Sequence, residues 1–125
     1  MTPAINAAVV SRCVSEGVPV FSGVFGPSEV VRAWDLGATM VKIFPAETHG
    51  PAYIRALKSP LPNIKLLPTG GVNLATLPEF VKAGADGVGV GNPLFDRKRI
   101  ESGDWSWVEA QCRIFAAAYH GAHAS

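Results

Sequence analysis

Short apolar runs alternate with amphipathic stretches along the whole chain. Four of the runs, Val18–Ser22, Thr39–Phe44, Ile64–Pro68 and Gly87–Gly91, are only five or six residues long. They are apolar on both faces, the pattern of buried parallel strands. The stretches between them, Pro27–Leu36, Pro51–Lys58 and Leu74–Ala83, read as helices. Pro27 and Pro51 sit where a missing N–H is harmless, at the first turn. Asn73 is the expected N-cap of the third. A further helix, Asn6–Glu16, has Val9, Val10, Cys13 and Val14 on one face and Gly17 as its stop. The last helix spans Trp105 to about His120, with Asp104 as N-cap. Its Val108, Cys112, Phe115 and Tyr119 share one face, which predicts packing onto the sheet rather than onto a membrane.

Part of this pattern repeats at an offset of 47 residues, so that Gly23 aligns with Gly70 and Gly37-Ala38 with Gly84-Ala85. Each copy reads as strand, glycine loop, helix, Gly-Ala turn and strand. Strands alternating with helices across short connections predict βαβ units and a parallel sheet. The fold expectation is α/β: four βα units preceded by one helix. An eight-unit barrel needs about 200 residues or more. The expected architecture is therefore a partial (β/α)8 TIM barrel. It comprises the last four units and the preceding helix, and residues 1–125 form one C-terminal portion without the N-terminal units. Such a sheet has two open edges, at Val18–Ser22 and Gly87–Gly91.

Composition narrows the function classes. The 125 residues carry 11 Lys+Arg against 10 Asp+Glu, a net charge of +1. That balance lacks the basic footprint of a nucleic-acid binder. A chain 48% hydrophobic and 17% charged is expected to fold. No apolar run reaches the roughly 20 residues of a membrane span. The N-terminus lacks the basic-then-apolar pattern of a signal peptide, so the expected location is cytoplasmic. Cys13 and Cys112 are far apart, and no spacing of Cys and His suggests a metal site.

Three features could carry chemistry. Lys42 lies inside the apolar run Val41-Lys42-Ile43-Phe44. A buried lysine without a partner has a lowered pKa and offers the neutral amine that imine chemistry needs. The plainer alternative is a lysine that snorkels to the strand end or forms a buried ion pair. The loop Thr69-Gly70-Gly71-Val72-Asn73 follows the third run, and Gly89-Val90-Gly91-Asn92 lies at the end of the fourth. Paired glycine loops after consecutive strands suit a phosphate. Glu47 and His49 follow the lysine strand and are acid–base candidates, although a loop histidine is more often simply solvated. Trp34, Trp105 and Trp107 suit helix packing, and Arg97-Lys98-Arg99 an exposed helix start.

The segments Val41-Lys42-Ile43-Phe44-Pro45-Ala46-Glu47, Gly50 to Lys58 and Leu67-Pro68-Thr69-Gly70-Gly71-Val72 resemble the C-terminal part of the 2-keto-3-deoxy-6-phosphogluconate (KDPG) and 4-hydroxy-2-oxoglutarate (KHG) aldolase family. Thr2-Pro3 looks like the end of that family's fourth strand. The resemblance implies a (β/α)8 barrel and a class I aldolase that uses neither metal nor other cofactor and is usually a trimer. It implies Lys42 as the Schiff-base lysine and Phe44 as the aromatic beside the imine. Thr69 would line the pyruvate end, and Gly70, Gly71, Gly91 and Asn92 the substrate phosphate site. The family often has serine where Asn92 stands. Its general base, a glutamate, and its carboxylate clamp, an arginine, lie upstream of Thr2, so weak activity is expected of these 125 residues alone. The alternatives are a phosphate-binding barrel isomerase or synthase, which would not need Lys42, and an inactive half-barrel fragment.

Overall fold

The computed structural model describes residues 1–124. Helix α1 (Ala7–Ser15) is followed by β1 (Phe21–Val24), α2 (Pro27–Asp35) and β2 (Met40–Ile43). A 3-10 turn at Ala46–Thr48 leads into α3 (Gly50–Lys58), β3 (Leu66–Pro68) and α4 (Leu77–Lys82). Helices α5 (Arg97–Glu101) and α6 (Trp105–His123) close the chain. The three strands are parallel in the order β1-β2-β3. Ser22 pairs with Val41, Gly23 with Lys42, and Lys42 with Leu67.

The alternation of strand side chains sorts the sheet into two faces. Val24, Val41, Ile43 and Leu66 are buried with Val30 and Ala33 of α2, Ile54 and Leu57 of α3, and Leu77 and Phe80 of α4. This is the core. The opposite face carries Gly23, Lys42 and Leu67, level with one another in the register. It holds two cavities at opposite ends of the strands. One, at the strand starts, measures about 330 Å³ between Phe21, Met40, Leu67 and Tyr119. The other lies at the strand ends and is described below.

The helical expectations hold with adjusted ends. Asn6 caps α1 by accepting from Val9 N, and Asp104 caps α6 by accepting from Trp107 N. The run Arg97-Lys98-Arg99 opens α5 and is exposed. Three expectations are corrected. The first strand begins at Phe21, not Val18, because Val18 N is used to close α1 on Cys13 O and Pro19 has no N–H to give. Helix α4 begins at Leu77, not Leu74: Asn73 Oδ1 accepts from both Ala75 N and Thr76 N and holds a turn instead. The fourth strand shrinks to a single bridge, Thr69 to Gly89. Glycines at 87, 89 and 91 supply no side chains and hold an extended run weakly.

Some predicted faces also change. Cys112 and Trp105 are exposed, Trp105 at 63%. Phe115 is the buried residue of α6, and Tyr119 donates to Asp86 O. On α1 only Val10 is buried, while Val9 and Val14 remain exposed. The β1 edge is not open along its length: Thr2 N donates to Phe21 O, and Gly23 N donates to Thr2 Oγ1. A Cβ on Gly23 would meet the carbonyl of Pro3 and lie 2.5 Å from Thr2 O, so only glycine admits this approach.

Candidate active site

Strand β2 positions Lys42 midway along the face opposite the core. The side chain is buried although charged, its residue only 8% exposed. The amine lies 4.4 Å from the centroid of the Phe44 ring, within cation–π range. Lys42 takes part in none of the ion pairs found among the described residues. With no carboxylate paired to it, burial lowers the pKa of the amine from the ordinary lysine value. The buried ion pair that a strand lysine could have formed is not what the geometry provides.

Beyond Phe44, a cavity of about 390 Å³ opens at the carboxyl ends of the strands. It brings together Phe44, Thr69, Gly70, Gly71, Gly91 and Asn92, six of the seven residues to which the family resemblance assigns a role. Lys42 reaches it through the Phe44 ring rather than by lining it. The loop after β3 is tied to β2, because Thr69 N donates to Ile43 O and Ala46 N donates to Thr69 O. Gly70 and Gly71 then turn through φ values of +99° and +68°, a region that disfavours other residues. Thr76 Oγ1 accepts from Asn73 N and donates to Gly71 O, which closes the loop from the other side.

The amides left over are the informative ones. Among the described residues, the N–H groups of Gly70, Gly71, Gly91 and Asn92 donate to no protein acceptor. Unpaired backbone donors such as these around one cavity suit an anion. Thr69 Oγ1 is also buried without a hydrogen-bond partner, packed against Gly89.

Two further contacts were not legible in the sequence. Glu47, a candidate acid–base group there, rests its side chain on the glycine turn: a Cβ on Gly71 would lie 2.6 Å from Glu47 Cβ. His49 does not line the cavity. Its ring stands between those of Phe25 and Tyr53, at centroid distances of 4.7 and 4.8 Å. Tyr53 OH donates to Phe25 O, so α3 and the loop after β1 are latched beside the lysine strand. Glu29 accepts from Gly26 N and Phe25 N in that loop, and these two bonds hold its carboxyl below the usual value. Both contacts join residues distant in sequence through loops, where periodicity carries no signal. No group of three or more His, Cys, Asp or Glu side chains able to hold a metal occurs among the described residues. No helix among them is long and apolar enough to cross a membrane.

A buried mid-strand lysine and free amides at the ends of parallel strands define an α/β protein with a small-molecule pocket where such folds usually keep one. The chain belongs to the KDPG and KHG aldolase family, whose model matches residues 1–111. It is 38% identical over 96 residues to the 2-dehydro-3-deoxy-6-phosphogalactonate aldolase of Escherichia coli (strain K12), covering 76% of this chain and 47% of that protein. A solved structure described as native KDPGal superposes with a TM-score of 0.87 at 34% identity, over 97% of this chain and 57% of that one. A KDPG aldolase structure from Legionella pneumophila, with pyruvate captured as a covalent carbinolamine, matches at 25% identity and a TM-score of 0.79, over 89% of this chain and 54% of that one. The chain thus spans about half the length of the curated relatives it matches.

Proposed function

We propose that these residues form the last four βα units of a (β/α)8 barrel and carry the imine-forming half of a class I aldolase site. The observation that carries this reading is the buried amine of Lys42, which has no ion-pair partner and lies one aromatic ring away from a cavity lined by backbone amides without protein acceptors. The pyruvate carbinolamine of the Legionella relative is consistent with an amine nucleophile.

The amine attacks the C2 ketone of a 2-keto acid, and loss of water gives a protonated imine. A base takes the C4 hydroxyl proton. The C3–C4 bond breaks, its electron pair passes to the imine as an enamine, and an aldehyde leaves. Protonation at C3 and hydrolysis release pyruvate and regenerate Lys42. Phe44 walls the imine, Thr69 faces the pyruvate end, and Gly70, Gly71, Gly91 and Asn92 hold the phosphate of the aldehyde portion. The substrate class is a 2-keto-3-deoxy-6-phosphosugar acid of the gluconate or galactonate series, or 4-hydroxy-2-oxoglutarate. No residue of this chain is assigned as the base. For these 125 residues alone we therefore propose weak turnover, with imine formation retained. A barrel isomerase or synthase would leave the buried Lys42 unexplained.

The test is borohydride trapping with pyruvate, read by peptide mass. Lys42 is expected to carry the reduced adduct, and Lys42→Met to carry none. An unlabelled Lys42 beside labelled surface lysines overturns the reading.

A further inference from the structure

Two loops at the carboxyl ends of the strands are joined by a stack of three rings that the proposed mechanism does not use. Phe25, in the loop after β1, is 39% exposed, yet its backbone and its ring are both held. Its N–H donates to Glu29 Oε2 at 2.8 Å, and its carbonyl accepts from Tyr53 OH at 2.7 Å. Its ring meets the ring of His49, which in turn meets that of Tyr53. No hydrogen bond or ion pair engages the His49 ring among the described residues, so this side chain acts by stacking. From His49 the contacts run inward. Its N–H donates to Ala46 O at 3.3 Å and closes the turn Ala46–Thr48. Ala46 is buried, and its own N–H donates to Thr69 O at 2.9 Å. The backbone of this turn lies against the glycine loop: a Cβ on Gly70 would be 3.3 Å from Ala46 N, and one on Gly71 would be 3.3 Å from Glu47 Cα.

The turn is thus clamped between the ring stack on its outer side and the loop Thr69–Gly71 on its inner side. We propose that His49 is a positioning residue for the phosphate loop. Stacked between Phe25 and Tyr53, it holds the turn Ala46–Thr48 against Thr69, Gly70 and Gly71, so that the Gly70 and Gly71 amides are in place before an anion arrives. This rests on the reading of the strand-end cavity as the site for the substrate phosphate. His49 touches no substrate in this role and transfers no proton. A loop that is already ordered loses less freedom when its ligand binds. A loop that is competent only part of the time binds more weakly in proportion to that fraction.

The experiment uses the whole 125-residue chain and inorganic phosphate as the probe. Binding is read from the amide resonances of Gly70 and Gly71 in the unmodified chain, in His49→Ala and in His49→Phe. Without its outer support the loop is competent for only part of the time, and His49→Ala is expected to bind phosphate about three- to tenfold more weakly. His49→Phe returns a ring to the stack and is expected to bind within about twofold of the unmodified chain. Hydrogen exchange of the Ala46 amide reports its bond to Thr69 O, and that of Val41 its bond to Lys65 O inside the sheet. In His49→Ala the Ala46 amide is expected to exchange about tenfold faster with Val41 unchanged, whereas a general loss of stability would quicken both. Equal phosphate affinity in the unmodified chain and His49→Ala, or no recovery in His49→Phe, overturns the proposal. Should His49→Ala not fold, Tyr53→Phe keeps all three rings and removes only the bond to Phe25 O. It is expected to lower phosphate affinity about two- to threefold, and unchanged affinity and Ala46 exchange there overturn the proposal. Pyruvate trapping at Lys42 separates these results from the parent reading. Trapping retained with equal phosphate affinity in all variants sinks the His49 role alone. Phosphate binding by none of the proteins sinks both the His49 role and the anion site. Loss of trapping in the unmodified chain sinks the imine reading whatever phosphate does.

Discussion

Gly23→Ala tests how the N-terminal residues are held against the sheet. The alanine Cβ would collide with the carbonyl of Pro3 and come within 2.5 Å of Thr2 O. These are backbone atoms and cannot rotate away, so residues 2 and 3 must leave the edge of β1. Two hydrogen bonds go with them, Thr2 N to Phe21 O at 3.0 Å and Gly23 N to Thr2 Oγ1 at 3.2 Å. At about 1 kcal/mol each, their loss destabilises by roughly 2 kcal/mol. Replacing glycine by alanine offsets about 0.4–1 kcal/mol of this by reducing the entropy of the unfolded chain. The expected net loss is about 1–1.5 kcal/mol. With a urea slope of about 1–2 kcal/mol/M, the midpoint falls by roughly 0.5–1.5 M. In a chain lacking Thr2 and Pro3 the three nearest obstructing atoms are gone, and there the same substitution is expected to stabilise by about 0.4–1 kcal/mol. The diagnostic is the reversal of sign between the two backgrounds in urea unfolding. A coupling energy below about 0.5 kcal/mol would refute the argument.

Three other outcomes follow from the same geometry. Burial holds the amine of Lys42 below 10.5, so below its folded-state pKa the protein bears the full penalty of a buried charge. As pH rises from that value to 10.5, the unfolded chain binds more protons than the native one and stability increases; the Lys42→Met protein is expected to lack this rise when the two stability–pH curves are subtracted. Asp86 Oδ2 lies 2.7 Å from Lys58 Nζ and accepts from Leu66 N at 2.8 Å. Asp86→Ala leaves that β3 amide without its acceptor and is expected to cost about 1–3 kcal/mol in denaturant unfolding, with faster hydrogen exchange at Leu66. Ser22 is fully buried, and its hydroxyl has no hydrogen-bond partner. Ser22→Ala is expected to leave the melting temperature unchanged or to raise stability by about 1 kcal/mol; a loss above that would show the hydroxyl to be bonded.

The 47-residue repeat shows both the reach and the limit of reading the chain in one dimension. It identified the strand–loop–helix units, but it aligns Ser22 with Thr69. Ser22 lies beside Val41 in the register and is fully buried, whereas Thr69 lines the strand-end cavity. Each strand's own hydrogen-bonded register sets which face a residue occupies, and a shift of one residue reverses it. The strand expected at Gly87–Gly91 failed for a related reason. An apolar run predicts a strand only where neighbouring backbone and side chains complete it, and here the ladder has one bridge.

Local chemistry was enough to find the helices, their proline starts, the cap at Asp104, and the glycine loops around the strand-end cavity. These follow from side-chain type and spacing over a few residues, which sequence displays directly. The burial of Lys42 without a counter-charge, the cavity amides left without acceptors and the side chain of Glu47 laid across Gly70 and Gly71 were decided only in three dimensions. Each depends on which distant segments meet, and on which groups remain unpaired once the backbone hydrogen bonds have been formed. Chain order does not contain that outcome until the sheet register and the loop conformations have set it.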